Sequence, residues 1–243
     1  MQWAGDLGRW SRQAAAIFLK EWRTEWRTRV ALSSVVLFAV GSITLIAVAL
    51  RAEPAPGLDT EGHATLAAAL LWVVLFFTAA TGLGRAFVQE EERGTALALR
   101  LCAPATAVWA GKFAANATLL LALAALATPI LVGILEVSWG TDANAALLAC
   151  VLILGSVGMA AVFTTTSALV AQASTKGGLL AALSFPVLVP LLLAGVHGAK
   201  AALGVGNIGG HFQPGVGDVQ VLVAYVVVAI TASLMLFDFV WYD

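Results

Sequence analysis

The sequence predicts an all-α integral membrane protein, with six transmembrane helices preceded by an N-terminal amphipathic helix lying in the membrane interface. Three observations carry that prediction. The 243 residues are 60% hydrophobic and only 11% charged, with a mean hydropathy of +0.93, well outside the range of soluble domains. The apolar residues fall into long blocks of roughly 20, the length that crosses about 30 Å of hydrocarbon. The basic residues gather in alternate connections between those blocks, as the positive-inside rule requires.

Residues 1–29 form the first element. The segment "KEWRTEWRTR", residues 20–29, repeats a charged, tryptophan-bearing tetrapeptide. On a helix, residues four apart share a face, so Trp22 and Trp26 form one stripe that Phe18, Ile17 and Ala14 extend backwards. Arg23 and Arg27 form a second stripe, and Glu21 and Glu25 a third. Because like charges sit above like, the helix satisfies few of its own charges. Its tryptophans suit the lipid interface, and its charges are offered to something else. No signal peptide is expected, since the polar stretch is too long for an n-region and no cleavage site is visible.

Residues 30–243 are read as one six-helix transmembrane domain, with spans at about 30–50, 64–83, 113–135, 145–171, 179–196 and 219–240. None of these contains Lys, Arg, Asp or Glu before Asp238. The connection at 51–63 carries Pro54, Pro56 and Gly57, a turn composition. The connection at 84–112 is the longest on the inside, "QASTKGG" is short, and the glycine-rich segment before the last span is long. No long internal repeat is visible, which disfavours an inverted-repeat transporter. In span 4, Gly155, Ser156 and Gly158 predict close helix packing, and Thr164–Ser167 predict hydroxyls bonded back to the preceding turn. Pro186 and Pro190, one turn apart in span 5, predict a bend or local opening.

Orientation follows from the cations. With the N-terminus in the cytoplasm, the inside segments hold Arg9, Arg12, Lys20, Arg23, Arg27, Arg29, Arg85, Arg93, Arg100, Lys112 and Lys176, and the outside segments only Arg51 and Lys200. Both termini are then cytoplasmic.

Several absences narrow the function. Spans without charge give a proton or ion relay little to use. No phosphate-binding loop is present: Gly111 and Lys112 are followed by Phe113 and lack the earlier glycine, so any nucleotide energy must come through another chain. Neither H-E-x-x-H nor G-x-S-x-G occurs, and no catalytic residue is assigned. Cys102 and Cys150 are placed for neither a disulfide nor a metal motif. No nucleic-acid partner is expected. His63, His197 and His211 all fall outside by this topology; solvated loop histidines are the plain reading, and axial haem contacts the sharper one.

The loop "GRAFVQEEERGTALALRLCAPATAVWAGK" is the most informative segment. Gly94 interrupts a helix, Leu97, Leu99 and Leu101 form an apolar stretch, Pro104 redirects the chain, and Glu90, Glu91 and Glu92 sit beside Arg93 and Arg100. A half-buried helix against a cytoplasmic partner fits this better than a solvated connector does. With the amphipathic first helix and six spans, the chain resembles the permeases of ABC-2-type transporters. Within them it resembles the haem exporter protein B family of cytochrome c maturation (CcmB). "FVQEEERGT" is similar to that family's F-x-x-D-x-x-D-G-S-L motif, matching at Phe87 and Gly94. Glu90 stands for the first aspartate, Arg93 for the second, Thr95 for the serine and Ala96 for the leucine. "TKGGLLAALSFPVLVPLLL", with Lys176, Gly177, Gly178, Pro186 and Pro190, resembles the family's inside loop and fifth span, and "EWRTRVALSSVVLFAV" its first span.

The resemblance implies a permease subunit that is not itself an enzyme, in the bacterial inner membrane. ATP and Mg would be bound by a separate, CcmA-like ATP-binding subunit of the same system. A second copy of this chain would complete the core, a haem-handling protein and a further small protein would join in some organisms, and haem would be the cargo. It implies docking of the ATPase on Phe87, Glu90, Glu91, Arg93, Gly94, Thr95 and Arg100 of the coupling loop. Docking on Glu21, Arg23, Glu25 and Arg27 of the first helix is the companion expectation. Two rivals stand beside it: an ABC-2-type permease for a lipid, polysaccharide or drug, and a non-transporting membrane assembly scaffold.

Overall fold

The computed structural model describes residues 2–52, 60–83, 85–92, 94–134, 143–172, 179–204 and 215–242. Every regular element among them is an α-helix: α1 (Gln2–Thr28), α2 (Val30–Ala52), α3 (Thr60–Gly82), α4 (Arg85–Glu92), α5 (Ala96–Cys102), α6 (Ala105–Ile134), α7 (Ala145–Gln172), α8 (Leu179–Ala202) and α9 (Val216–Tyr242). Helix is the expected solution, because in hydrocarbon a chain must satisfy its backbone polar groups within itself.

Among the described residues, five helices are long and apolar enough to cross a membrane: α3, α6, α7, α8 and α9. The other expected span falls on α2, where the described apolar stretch is Val36–Ile46. Parts of the predicted connections lie outside the described residues: 53–59, 135–142, 173–178 with Lys176, Gly177 and Gly178, and 205–214.

At the centre is α7, which packs on α6, α8 and α9, while α3 lies on α8, α2 on α3, and α1 along α6. The glycines of span 4 act as the packing reading predicts. Trp72 of α3 is buried, and its indole lies against Gly155 of α7 and Gly195 of α8, where a Cβ at either position would overlap the ring. Gly158 admits the Leu191 side chain in the same way. The hydroxyls of Thr164, Thr165 and Thr166 donate to the carbonyls of Ala160, Ala161 and Val162 at 2.6, 3.2 and 2.8 Å. Helix α8 continues through Pro186 and Pro190, and beside them the Tyr225 hydroxyl of α9 donates to the Val187 carbonyl at 2.7 Å.

Two local features set the geometry near the candidate site. Arg29, between α1 and α2, has φ +53°, a left-handed conformation that costs a non-glycine residue about 1–2 kcal/mol. Its amide still donates to the Glu25 carbonyl at 2.7 Å. The coupling connection is shorter than 84–112, because α6 begins at Ala105. Extended Ala103 ends α5, and Pro104 supplies a φ suited to starting the next helix. Lys112 therefore lies within a helix that the sequence reading began at 113.

Candidate functional site

The elbow formed by α4 and α5 is anchored by aromatic rings. Phe87 is buried, with its ring 5.4 Å from Phe237 and 5.8 Å from Trp241 of α9. The Arg100 guanidinium lies 5.4 Å over the Trp241 ring, a cation–π arrangement. Gly94, at φ +66°, makes the turn between the two short helices, a conformation glycine adopts without penalty. Thr95 stands at the N-cap of α5 but does not cap it; its hydroxyl donates to the Glu90 carboxylate instead.

Glu90 belongs to an ion cluster joining three elements. The Lys112 ammonium of α6, whose side chain is 0% exposed, donates to Glu21 Oε1 of α1 at 2.6 Å and to Glu90 Oε1 of α4 at 3.4 Å. Lys20 of α1 donates to the same Glu90 oxygen and reaches Glu21 Oε1 at 3.3 Å. Phe87 closes the cluster, its ring centroid 4.9 Å from the Lys112 nitrogen. Two cations thus face two carboxylates, with only Lys20 substantially exposed among the four. A buried ammonium requires such compensation, since an unpaired charge removed from water costs several kcal/mol.

The titration of the cluster follows from its geometry. Burial opposes ionisation of Glu90, but the Lys112 charge and the hydrogen bonds from Lys20 and Thr95 outweigh it and hold the carboxyl down at about 2. For Lys20, burial disfavours the charged form, while the hydrogen bond to Glu90 and the nearby Glu21 and Glu90 charges more than offset it, so its pKa is raised.

The seam between α1 and α6 is close-packed beside these charges. A Cβ on Gly111 would overlap the Ala14 carbonyl and the Ile17 side chain of α1. Trp10 donates to the Thr106 hydroxyl at 3.1 Å and Gln13 to the Cys102 carbonyl at 3.2 Å. Deeper along α6, Trp109 donates to Thr165 at 3.0 Å and Asn116 to Thr164 at 2.9 Å. Trp109, Lys112 and Asn116, spaced i, i+3 and i+7, thus line one side of α6 that is hydrogen-bonded to the central helix and ion-paired to α1 and α4.

The sequence-predicted residues divide clearly. The sequence reading offered Glu21, Phe87 and Glu90 to a partner, whereas the structure engages them within the chain, because Lys112 is buried among them. Glu91, Gly94 and Thr95 are exposed at the elbow, and Arg100 is half-buried against α9. Arg23 and Arg27 are exposed on α1, and Glu25 is half-buried. Arg93 and His211 lie outside the described residues. His63, near the start of α3, and His197, near the end of α8, lie at the end of the bundle away from the elbow. Sequence reasoning missed Lys112, for which the visible signal was a single lysine between Trp109 and Phe113 at the head of an apolar run. Leu97 and Leu101 of the apolar stretch are 67% and 81% exposed on α5. Among the described residues no group of His, Cys, Asp or Glu could hold a metal ion. What this site offers is a junction, in which ion pairs tie α4 to α1 and α6 and ring contacts tie it to α9.

The family model described as CcmB protein matches residues 12–238, a range that contains Lys20, Glu21, Phe87, Glu90 and Lys112 of the ion cluster but not Trp10 or Trp241. No curated protein matches the chain.

Proposed function

The chain belongs to the CcmB family, membrane components of haem-export systems, and on that premise we propose that it is the permease subunit of an ABC transporter for cytochrome c maturation. In this reading α2 is the sixth span, both termini are cytoplasmic and α1 rests at the inner face of a bacterial cytoplasmic membrane. A separate CcmA-like protein binds ATP and Mg. Its docking surface is the outward side of the elbow, with Glu91, Leu97 and Leu101 in contact and Gly94 at the turn, and Arg93 a further docking candidate. Two copies of this chain form the core, the haem-handling protein and the further small protein join where they occur, and haem or a haem-loaded chaperone is what the cycle moves. His63, His197 and His211 are the candidate haem contacts by position.

The observation that carries the coupling part of this proposal is the junction itself. The short helix before the exposed leucines of α5 is tied to the spans, through Phe87 to α9 and through Glu90 to α6 and α1. Conformational change at a docked ATPase is thereby transmitted through packed helices as a hinge or shear movement.

The deciding test is covalent haem in c-type cytochromes, stained on a denaturing gel, in a strain lacking this chain. Loss of the bands is expected, with restoration by the parent gene and not by Leu97→Asp/Leu101→Asp. That pair, fully surface-placed, should reduce co-purification of the ATP-binding protein at least tenfold without changing thermal stability. Unchanged cytochrome bands would sink the maturation reading in favour of an exporter of another substrate.

A further inference from the structure

The structure sorts α1 into three sectors, and one of them has no carboxylate partner among the described residues, although Arg12 Nε donates to the Gly8 carbonyl at 2.8 Å. The α6-facing sector carries Gln13, Ile17 and Glu21, hydrogen-bonded, buried and ion-paired respectively. A second sector is aromatic: Phe18 stacks on Trp22 with ring centroids 6.1 Å apart, Trp22 meets Trp26 at 6.2 Å, and Trp26 is 57% exposed. The third is basic. Arg12 and Arg23, three helical turns apart, fall on one line with exposed Leu19 between them, and Arg27 lies one turn further. All three arginines are exposed, and among the described residues none is paired with a carboxylate. Helix periodicity puts Glu21 on the side opposite Arg12, and the fold engages that side with Lys112 while leaving the arginines outward.

We propose that the Arg12–Arg23–Arg27 face of α1 binds the headgroups of anionic phospholipids, with the adjoining tryptophans seated among the acyl chains. Arginine and tryptophan sectors side by side match the two layers that an interfacial helix meets, charged headgroup above and hydrocarbon below. Exposed Trp26 and Leu19 beside the arginines suit the apolar layer just beneath the headgroups. Placement follows from the chain as well, since Arg29 joins α1 directly to apolar α2. The inference rests on the membrane location of the chain and not on its cargo or its ATPase.

Each arginine near an anionic surface contributes about 1 kcal/mol, about fivefold in preference at RT ≈ 0.59 kcal/mol, so three give on the order of a hundredfold at low salt. The test uses the full chain reconstituted in vesicles with a small fraction of brominated phosphatidylglycerol or, separately, brominated phosphatidylcholine in an unbrominated phosphatidylcholine host. Bromine quenches nearby tryptophan, and subtraction of the Trp26→Phe signal isolates Trp26. Stronger quenching of Trp26 by phosphatidylglycerol is expected at equal mole fraction, lost in Arg12→Gln/Arg23→Gln/Arg27→Gln and in 1 M salt. Salt titration of the parent chain keeps the test decisive if the triple variant folds poorly. Equal quenching by both lipids, or insensitivity to salt, overturns the proposal. So does a Trp26 that lipid does not quench and that only the added ATP-binding protein shields, which would make this face a protein dock. Failure of cytochrome maturation in the haem assay leaves this outcome untouched, so the two readings stand or fall separately.

Discussion

Replacing Lys112 by methionine tests the junction most directly. Methionine keeps an unbranched apolar stem against Phe87, so no large cavity opens and the change is essentially one of charge. Glu90, with a 10% exposed side chain, and Glu21, at 22%, would then share Lys20 alone. Removing one partner of a buried ion pair costs about 3–5 kcal/mol. The lower end applies here, about 3 kcal/mol, because Lys20 remains in reach of both carboxylates and Glu21 is partly wet. Adding Glu21→Gln to the same chain should recover part of that loss, since the remaining Glu90–Lys20 pair is neutral. The two substitutions should therefore couple by about 1–3 kcal/mol. The assay is equilibrium unfolding of the full chain in mixed micelles against increasing dodecyl sulfate, followed by tryptophan fluorescence, for the parent, both single variants and the double. A Lys112→Met chain within about 0.5 kcal/mol of the parent, or strictly additive single effects, would refute the view that the buried ammonium organises α1, α4 and α6.

Other outcomes follow from the same structure. Glu90 is held near 2 in the folded chain against an ordinary value of 4.5, so its stabilisation is complete above about pH 4.5 and fades as the pH falls towards 2. The span is worth on the order of 3 kcal/mol, and Glu90→Gln should flatten the stability–pH curve in that window. Lys20, raised from its ordinary 10.5, gives the opposite arm: its contribution is full below that value and lost as the pH rises through the folded pKa, an alkaline loss that Lys20→Met removes. Gly155→Ala drives a methyl into the Trp72 indole, an overpacking cost of about 1–3 kcal/mol that Trp72→Leu in the same chain should relieve; micellar unfolding of the pair checks it. At Arg29, φ +53° makes Arg29→Gly neutral or slightly stabilising, while Arg29→Val should cost about 2 kcal/mol more than glycine, because a β-branched side chain is poorly tolerated in the left-handed region.

Much of this protein is legible in the sequence. The apolar blocks are local in sequence, and a helix satisfies its backbone from within four residues, so α3, α6, α7, α8 and α9 follow from hydropathy alone. The break at Gly94, the redirection at Pro104 and the back-bonded threonines of α7 follow from local chemistry too, as does membership of the family. What only the tertiary structure decided is where the charges go. Hydropathy treats Lys112 as the rim of a loop, because nothing within a few residues of it carries a negative charge. Its counter-charges come from Glu21, 91 residues away, and Glu90, 22 residues away, and they meet only once α1 has docked along α6 and the elbow has been anchored on α9. That docking sends Glu21 inward and leaves Arg12, Arg23 and Arg27 outward. The separate acidic and basic stripes of that helix are legible in its sequence, but only the docking decides that Glu21 of the acidic stripe is engaged and the basic one faces outward, since a buried ammonium cannot do without a carboxylate.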